Sequence, residues 1–168
     1  MSTKNLQSDN VCTGIWGSKP IKPIGFTLLE LIVSIAIVGT LIGIAYPLYT
    51  EYTEKAKIAR AVVDIQNISA TLSSYFTEYS IYPASLNTVG YAALLDPWGS
   101  PYQYLNIQTA KGKGSFRKDR FLVPINTDYD LYSMGKDRTS VSPLTAPASK
   151  DDIIRARNGA YIGLARDF

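Results

Sequence analysis

Residues 26–49 carry one charged side chain, Glu30, in a run that is otherwise apolar or small, and residues 50–79 then change to a mixed pattern. At a helical rise of about 1.5 Å per residue the first stretch is long enough for a bilayer core of roughly 30 Å, so it predicts a membrane-spanning helix. In the second stretch Ile58, Ala61, Ile65, Ile68, Leu72, Tyr75 and Tyr79 recur in alternating steps of three and four, which draws one apolar stripe along an amphipathic helix. Glu51 with Lys55, and Glu54 with Lys57, are favourable pairs for its polar side. Ile81-Tyr82-Pro83 ends the pattern. Joined, the two stretches predict one helix roughly 80 Å long. Inside the span, Pro47 lacks the donor that would reach the Gly43 carbonyl, so a kink or local unwinding is expected there.

After the helix the chain reads as a small sheet. Asp96-Pro97-Trp98-Gly99 has the residue order of a type I turn, and Pro101 then opens a strand in which Tyr102 and Tyr104 share a face. Trp98 is expected to be buried against the helix. Residues 121–125 and 129–134 read as further strands joined by Asn126-Thr127-Asp128, with a basic hairpin loop at Lys111-Gly112-Lys113-Gly114-Ser115. Three or four short antiparallel strands on the amphipathic stripe make an α+β fold. The organisation expected is a leader, 1–25, without apolar period; a span, 26–49; and one soluble domain, 50–168.

Composition narrows the chemistry. The chain has no histidine, and its one cysteine, Cys12, falls in the leader. A mature chain starting at Phe26 would therefore have no Ser-His-Asp or Cys-His catalysis, no histidine or thiolate zinc site and no disulfide. Loss of Lys4, Lys19, Lys22 and Asp9 with the leader lowers the formal charge of +3 by two, so no nucleic-acid surface is expected. Lysines flank the span on both sides, which leaves its orientation undecided by charge.

Glu30 is the residue the apolar run does not explain, since a carboxylate at mid-membrane costs about 2.5–3.5 kcal/mol on insertion scales. A cut between Gly25 and Phe26 places a new α-ammonium one helical turn before it, within reach of an ion pair in the same or a neighbouring subunit. Two plainer readings compete. Gly43 and Ala45 have the spacing of a secretory signal, with a mature chain from Tyr46, but the apolar region is long for one and has an acid at its head. A simple single-span anchor leaves Glu30 unexplained.

Gly25-Phe26-Thr27-Leu28-Leu29-Glu30 ahead of an apolar helix resembles the processing signal of type IV pilins and pseudopilins. The resemblance implies cleavage after Gly25 by a prepilin peptidase, N-methylation of Phe26, and subunit docking through Glu30. Pro47 matches the helix-kinking proline that many of these proteins carry. The phrases Asp96-Pro97-Trp98-Gly99-Ser100-Pro101-Tyr102 and Tyr129-Asp130-Leu131-Tyr132-Ser133-Met134-Gly135-Lys136-Asp137 further resemble the major pseudopilin of the type II secretion system. That likeness implies a non-enzymatic filament subunit that forms a homopolymer and works with minor pseudopilins and an inner-membrane assembly platform. Its anchor would lie in the bacterial inner membrane and its domain in the periplasm. The alternative is a major or minor subunit of a type IV pilus, against which stands the lack of a mature cysteine pair.

The tail supplies hard oxygen donors, Asp137, Asp151 and Asp152, in a loop rich in hydroxyls and carbonyls. Taken alone they are solvated turn acids as readily as ligands. The family resemblance implies a calcium site in this loop, with Asp137, Asp151 and Asp152 as side-chain ligands and the Met134 carbonyl beside them. Arg155 and Arg157 oppose a cation nearby, and Asn158 is the fallback donor.

Overall fold

A long helix dominates because nothing in residues 28–79 interrupts it except Pro47: helix α1, Leu28–Tyr79, is 52 residues long. The computed structural model describes residues 25–110 and 112–168. The leader expected at 1–24 and Lys111 of the basic loop lie outside the described residues. Two units divide the chain between Gly43 and Ile44. That division falls at the carbonyl whose donor Pro47 lacks, yet α-helical structure runs on through Pro47, so the expected local unwinding is not found. In the first unit Leu28, Leu29, Leu31, Ile32, Val33, Ile35, Ile37, Val38, Leu41 and Ile42 are all exposed. Among the described residues α1 is the one helix long and apolar enough to cross a membrane.

In the second unit the apolar stripe is buried. Ala61, Ile65, Ile68 and Leu72 of α1 pack with Trp98, Tyr102, Tyr129, Leu131 and Ile153 in one core. Each large aliphatic side chain so buried contributes about 1.5–3 kcal/mol. The stripe fades at its end, where Tyr79 is 53% exposed. Ser80, at φ 59°, donates its N–H to the Phe76 carbonyl and turns the chain off the helix.

Four strands form an antiparallel meander: β1 Gln103–Asn106, β2 Tyr129–Ser133, β3 Ile153–Ala156 and β4 Tyr161–Leu164, neighbours in that order. Gln103 pairs with Tyr132, Tyr132 with Ile154, and Ile154 with Gly163. Alternation along β2 and β3 serves two cores. Tyr129, Leu131 and Ile153 join α1 on one face, while Ile154 and Ala156 meet Ile125, Leu144 and Ala165 on the other. The tail thus covers the face of the sheet that α1 leaves open.

Three expectations need correcting. Residues 121–125 are not a strand: Phe121 is fully exposed, and the Ile125 N–H goes to the Arg117 carbonyl. Glu54 does not pair with Lys57 but accepts a hydrogen bond of 2.9 Å from Trp98 Nε1, whereas Glu51 does pair with Lys55 at 2.7 Å. The third is the basic loop, where Lys113–Ser115 is a 3₁₀ turn. The Asp96 turn is as expected, with Gly99 N–H on the Asp96 carbonyl at 2.9 Å. The buried Asp96 carboxylate also accepts from the Trp98 and Ser100 N–H groups and from the Ser133 hydroxyl, which ties the turn to the end of β2.

Candidate functional site

The head of α1 is organised by two residues. Thr27 precedes the helix, and its hydroxyl oxygen accepts from the Glu30 N–H at 3.2 Å; the Glu30 carboxylate accepts from the Thr27 N–H at 3.0 Å and the Thr27 hydroxyl at 2.9 Å. This reciprocal exchange is a capping box, which satisfies two backbone donors that a helix start leaves over. It also gives the carboxylate partners inside its own subunit. Residues 25–27 lie outside the helix, and Phe26 is 77% exposed. A Cβ added at Gly25 would meet nothing within 4 Å, so the subunit's own packing does not require glycine there.

The tail-loop acids do not converge. Asp137 Oδ1 accepts from the Thr139 N–H at 2.8 Å, and Asp151 Oδ2 accepts from the Asp137 N–H at 3.0 Å. Asp152, fully buried, turns away to the Arg117 guanidinium and the Ser140 hydroxyl. Burial pushes the Asp152 carboxyl up to about 6 against the pull of Ser140 and Arg117, so at neutral pH it is still ionised and the contact is an ion pair. Among the described residues no three acidic, histidine or cysteine side chains gather as a metal group. The ligand set expected for calcium, Asp137, Asp151, Asp152 and the Met134 carbonyl, is therefore not assembled, and the residues as they stand do not fit the ion. Nor does the fallback: Asn158 is held by Thr127 and Asn126. Arg155 points to Asp128, at 2.6 Å, and over the Tyr129 ring rather than to the tail loop.

Residues 24–46 match the family described as the prokaryotic N-terminal methylation motif. Over 134 residues the chain is 33% identical to the type II secretion system core protein G of Pseudomonas aeruginosa, which covers 67% of this chain and 83% of that one. The chain belongs to the core protein G family of pilin-like proteins. The Vibrio cholerae core protein G is 33% identical over 105 residues, 51% of this chain and 72% of that protein. A fimbrial protein of Neisseria meningitidis is 31% identical over 84 residues, and there the chain spans about half of its relative, 49%. No solved structure matches the chain.

Two features of this family member are absent from the sequence reading. The capping box was legible, since Thr-x-x-Glu before an apolar run is its signature, but the charge of Glu30 masks its part in the cap. Arg117 had no signal at all. It sits in a loop with no periodicity, and its partner, Asp152, lies 35 positions away.

Proposed function

We propose that the chain is a structural subunit of the pseudopilus of a type II secretion system, which acts by polymerising rather than by chemistry. The observation that carries this reading is the head of α1: an exposed Gly25-Phe26 bond followed by a capped apolar helix whose one charge is Glu30, in a chain that covers most of a core protein G. Cleavage after Gly25 by the prepilin peptidase frees the Phe26 amine for methylation, and Glu30 then docks on the ammonium of a neighbouring subunit. Pro47 is the point at which the helix adapts on passing from lipid to filament. The partners are further copies of the chain, minor pseudopilins and an inner-membrane assembly platform. The anchor crosses the inner membrane once, with the second unit in the periplasm.

A pilus subunit is the second reading, favoured by the fimbrial relatives. Their matches span half of this chain or less, whereas a core protein G match spans 67%. An in-frame deletion of the gene separates the two. Exported proteins should accumulate in the periplasm of the deletion strain while surface pili persist, and complementation should restore export. Intact export with lost piliation would favour the pilus.

A further inference from the structure

The acids of the tail loop need a counter-charge, and the chain supplies one itself. Arg117 is 5% exposed. Its Nη1 donates to the Ser140 hydroxyl at 2.8 Å and to the Val141 carbonyl at 3.4 Å, and its Nη2 donates to the Asp152 carboxylate. A carboxylate, a hydroxyl and a backbone carbonyl are the oxygens that a hard cation would gather from this loop. The guanidinium also lies on the Tyr132 ring of β2, 4.2 Å from its centroid, and the Arg117 N–H is fixed by Asp130 at 2.8 Å. One side chain thereby joins the β1–β2 connection, the middle of the sheet, the tail loop and the start of β3.

We propose that Arg117 is the permanent cation of the tail loop, taking the place of a calcium ion, so that this family member folds without calcium. A divalent ion sharing these oxygens would have to sit beside a buried guanidinium of like charge, which opposes its binding. The two unpartnered buried atoms of the pair do not call for an ion either. They are Arg117 Nε, a donor, and Asp152 Oδ1, an acceptor, the matching halves of a two-pronged guanidinium–carboxylate contact. The rest of the loop is held by the chain as well. The Leu144 N–H bonds the Lys118 carbonyl at 2.9 Å, Leu144 itself is buried, and the Ser149 hydroxyl bonds both the N–H and the carbonyl of Val141. With these ties present, ordering of the loop does not wait on a bound metal.

The test is the thermal unfolding of the full chain in detergent, followed by tryptophan fluorescence, in about 5 mM calcium and in chelator. That concentration exceeds the roughly 10⁻⁴–10⁻³ M dissociation constants of extracytoplasmic calcium modules. The midpoints should coincide to within about 1 °C, because a ligand that does not bind the folded state does not stabilise it. A calcium-induced rise of about 3 °C or more would overturn the proposal. In the same detergent, Arg117→Ala should lower the midpoint by about 10 °C or more, with Arg117→Lys, which keeps the charge but not the fork, falling between. An Arg117→Ala midpoint equal to that of the native chain would also overturn it. If Arg117→Ala does not fold, the calcium comparison on the native chain still decides. Both readouts follow the fold, so they stand or fall apart from the secretion reading.

Discussion

Glu30→Val should leave the leader cut and the helix inserted while lowering filament yield about 100-fold or more. In the free subunit the Glu30 carboxylate is held by Thr27 alone, through the backbone N–H and the hydroxyl. Valine deletes half of that capping box, a loss of about 1 kcal/mol to the first turn. The same change removes an acid from an apolar span and so regains up to about 2.5–3.5 kcal/mol of insertion cost. Insertion is therefore not the step that suffers. Between subunits the balance reverses, because the ammonium of each processed neighbour would be left in lipid or protein without its counter-ion. Breaking a buried pair from one side costs about 3–5 kcal/mol, which at each contact is a factor of about 10² or more. Immunoblots of sheared surface fractions and electron microscopy measure the yield, and filaments of native number and length would dismiss the docking role.

The second large effect belongs to the fold. Gly135→Ala should cost about 3 kcal/mol or more, whereas Gly25→Ala should cost the folded domain nothing measurable. Gly135 has φ +66°, and a Cβ there would lie 2.2 Å from the Asp151 carbonyl oxygen and 2.7 Å from its carbon. Both atoms are backbone, so no rotamer change relieves the clash. The left-handed conformation adds roughly 1–3 kcal/mol for a non-glycine residue, and forced displacement of packed atoms a similar amount. Displacement would also spread, since the Gly135 N–H bonds Ser133 Oγ, whose hydroxyl bonds Asp96. Denaturant unfolding of the detergent-solubilised chain is the measurement. A Gly135→Ala variant within about 0.5 kcal/mol of native would show that the β2–tail junction is looser than its geometry indicates.

The helix and the N-terminal motif were legible because their signals are long and periodic. Ala61, Ile65, Ile68 and Leu72 repeat often enough to fix a face, and all four are buried. The sheet was only half legible. Strand β2 shows itself through Tyr129 and Leu131, but β3 is Ile153-Ile154-Arg155-Ala156, buried at every position because α1 covers one face and the tail the other. A strand covered on both sides loses its alternation, and a buried arginine hides it further. The opposite error arose at residues 121–125, an apolar run that resembles a strand. No strand lies beside it to take its hydrogen bonds, and Phe121 is open to solvent. The acids of the tail were misjudged for a related reason: their positions along the chain are visible, but the distant arginine that turns Asp152 inward is not.

The most direct measurement is the mass and N-terminal sequence of the protein recovered from membranes of cells with and without prepilin peptidase. The first population should begin at N-methylated Phe26 and the second should keep all of residues 1–25. A mature N-terminus at Tyr46, or an uncut chain in cells that contain the peptidase, would contradict the assignment of α1 as the processed core helix of a filament.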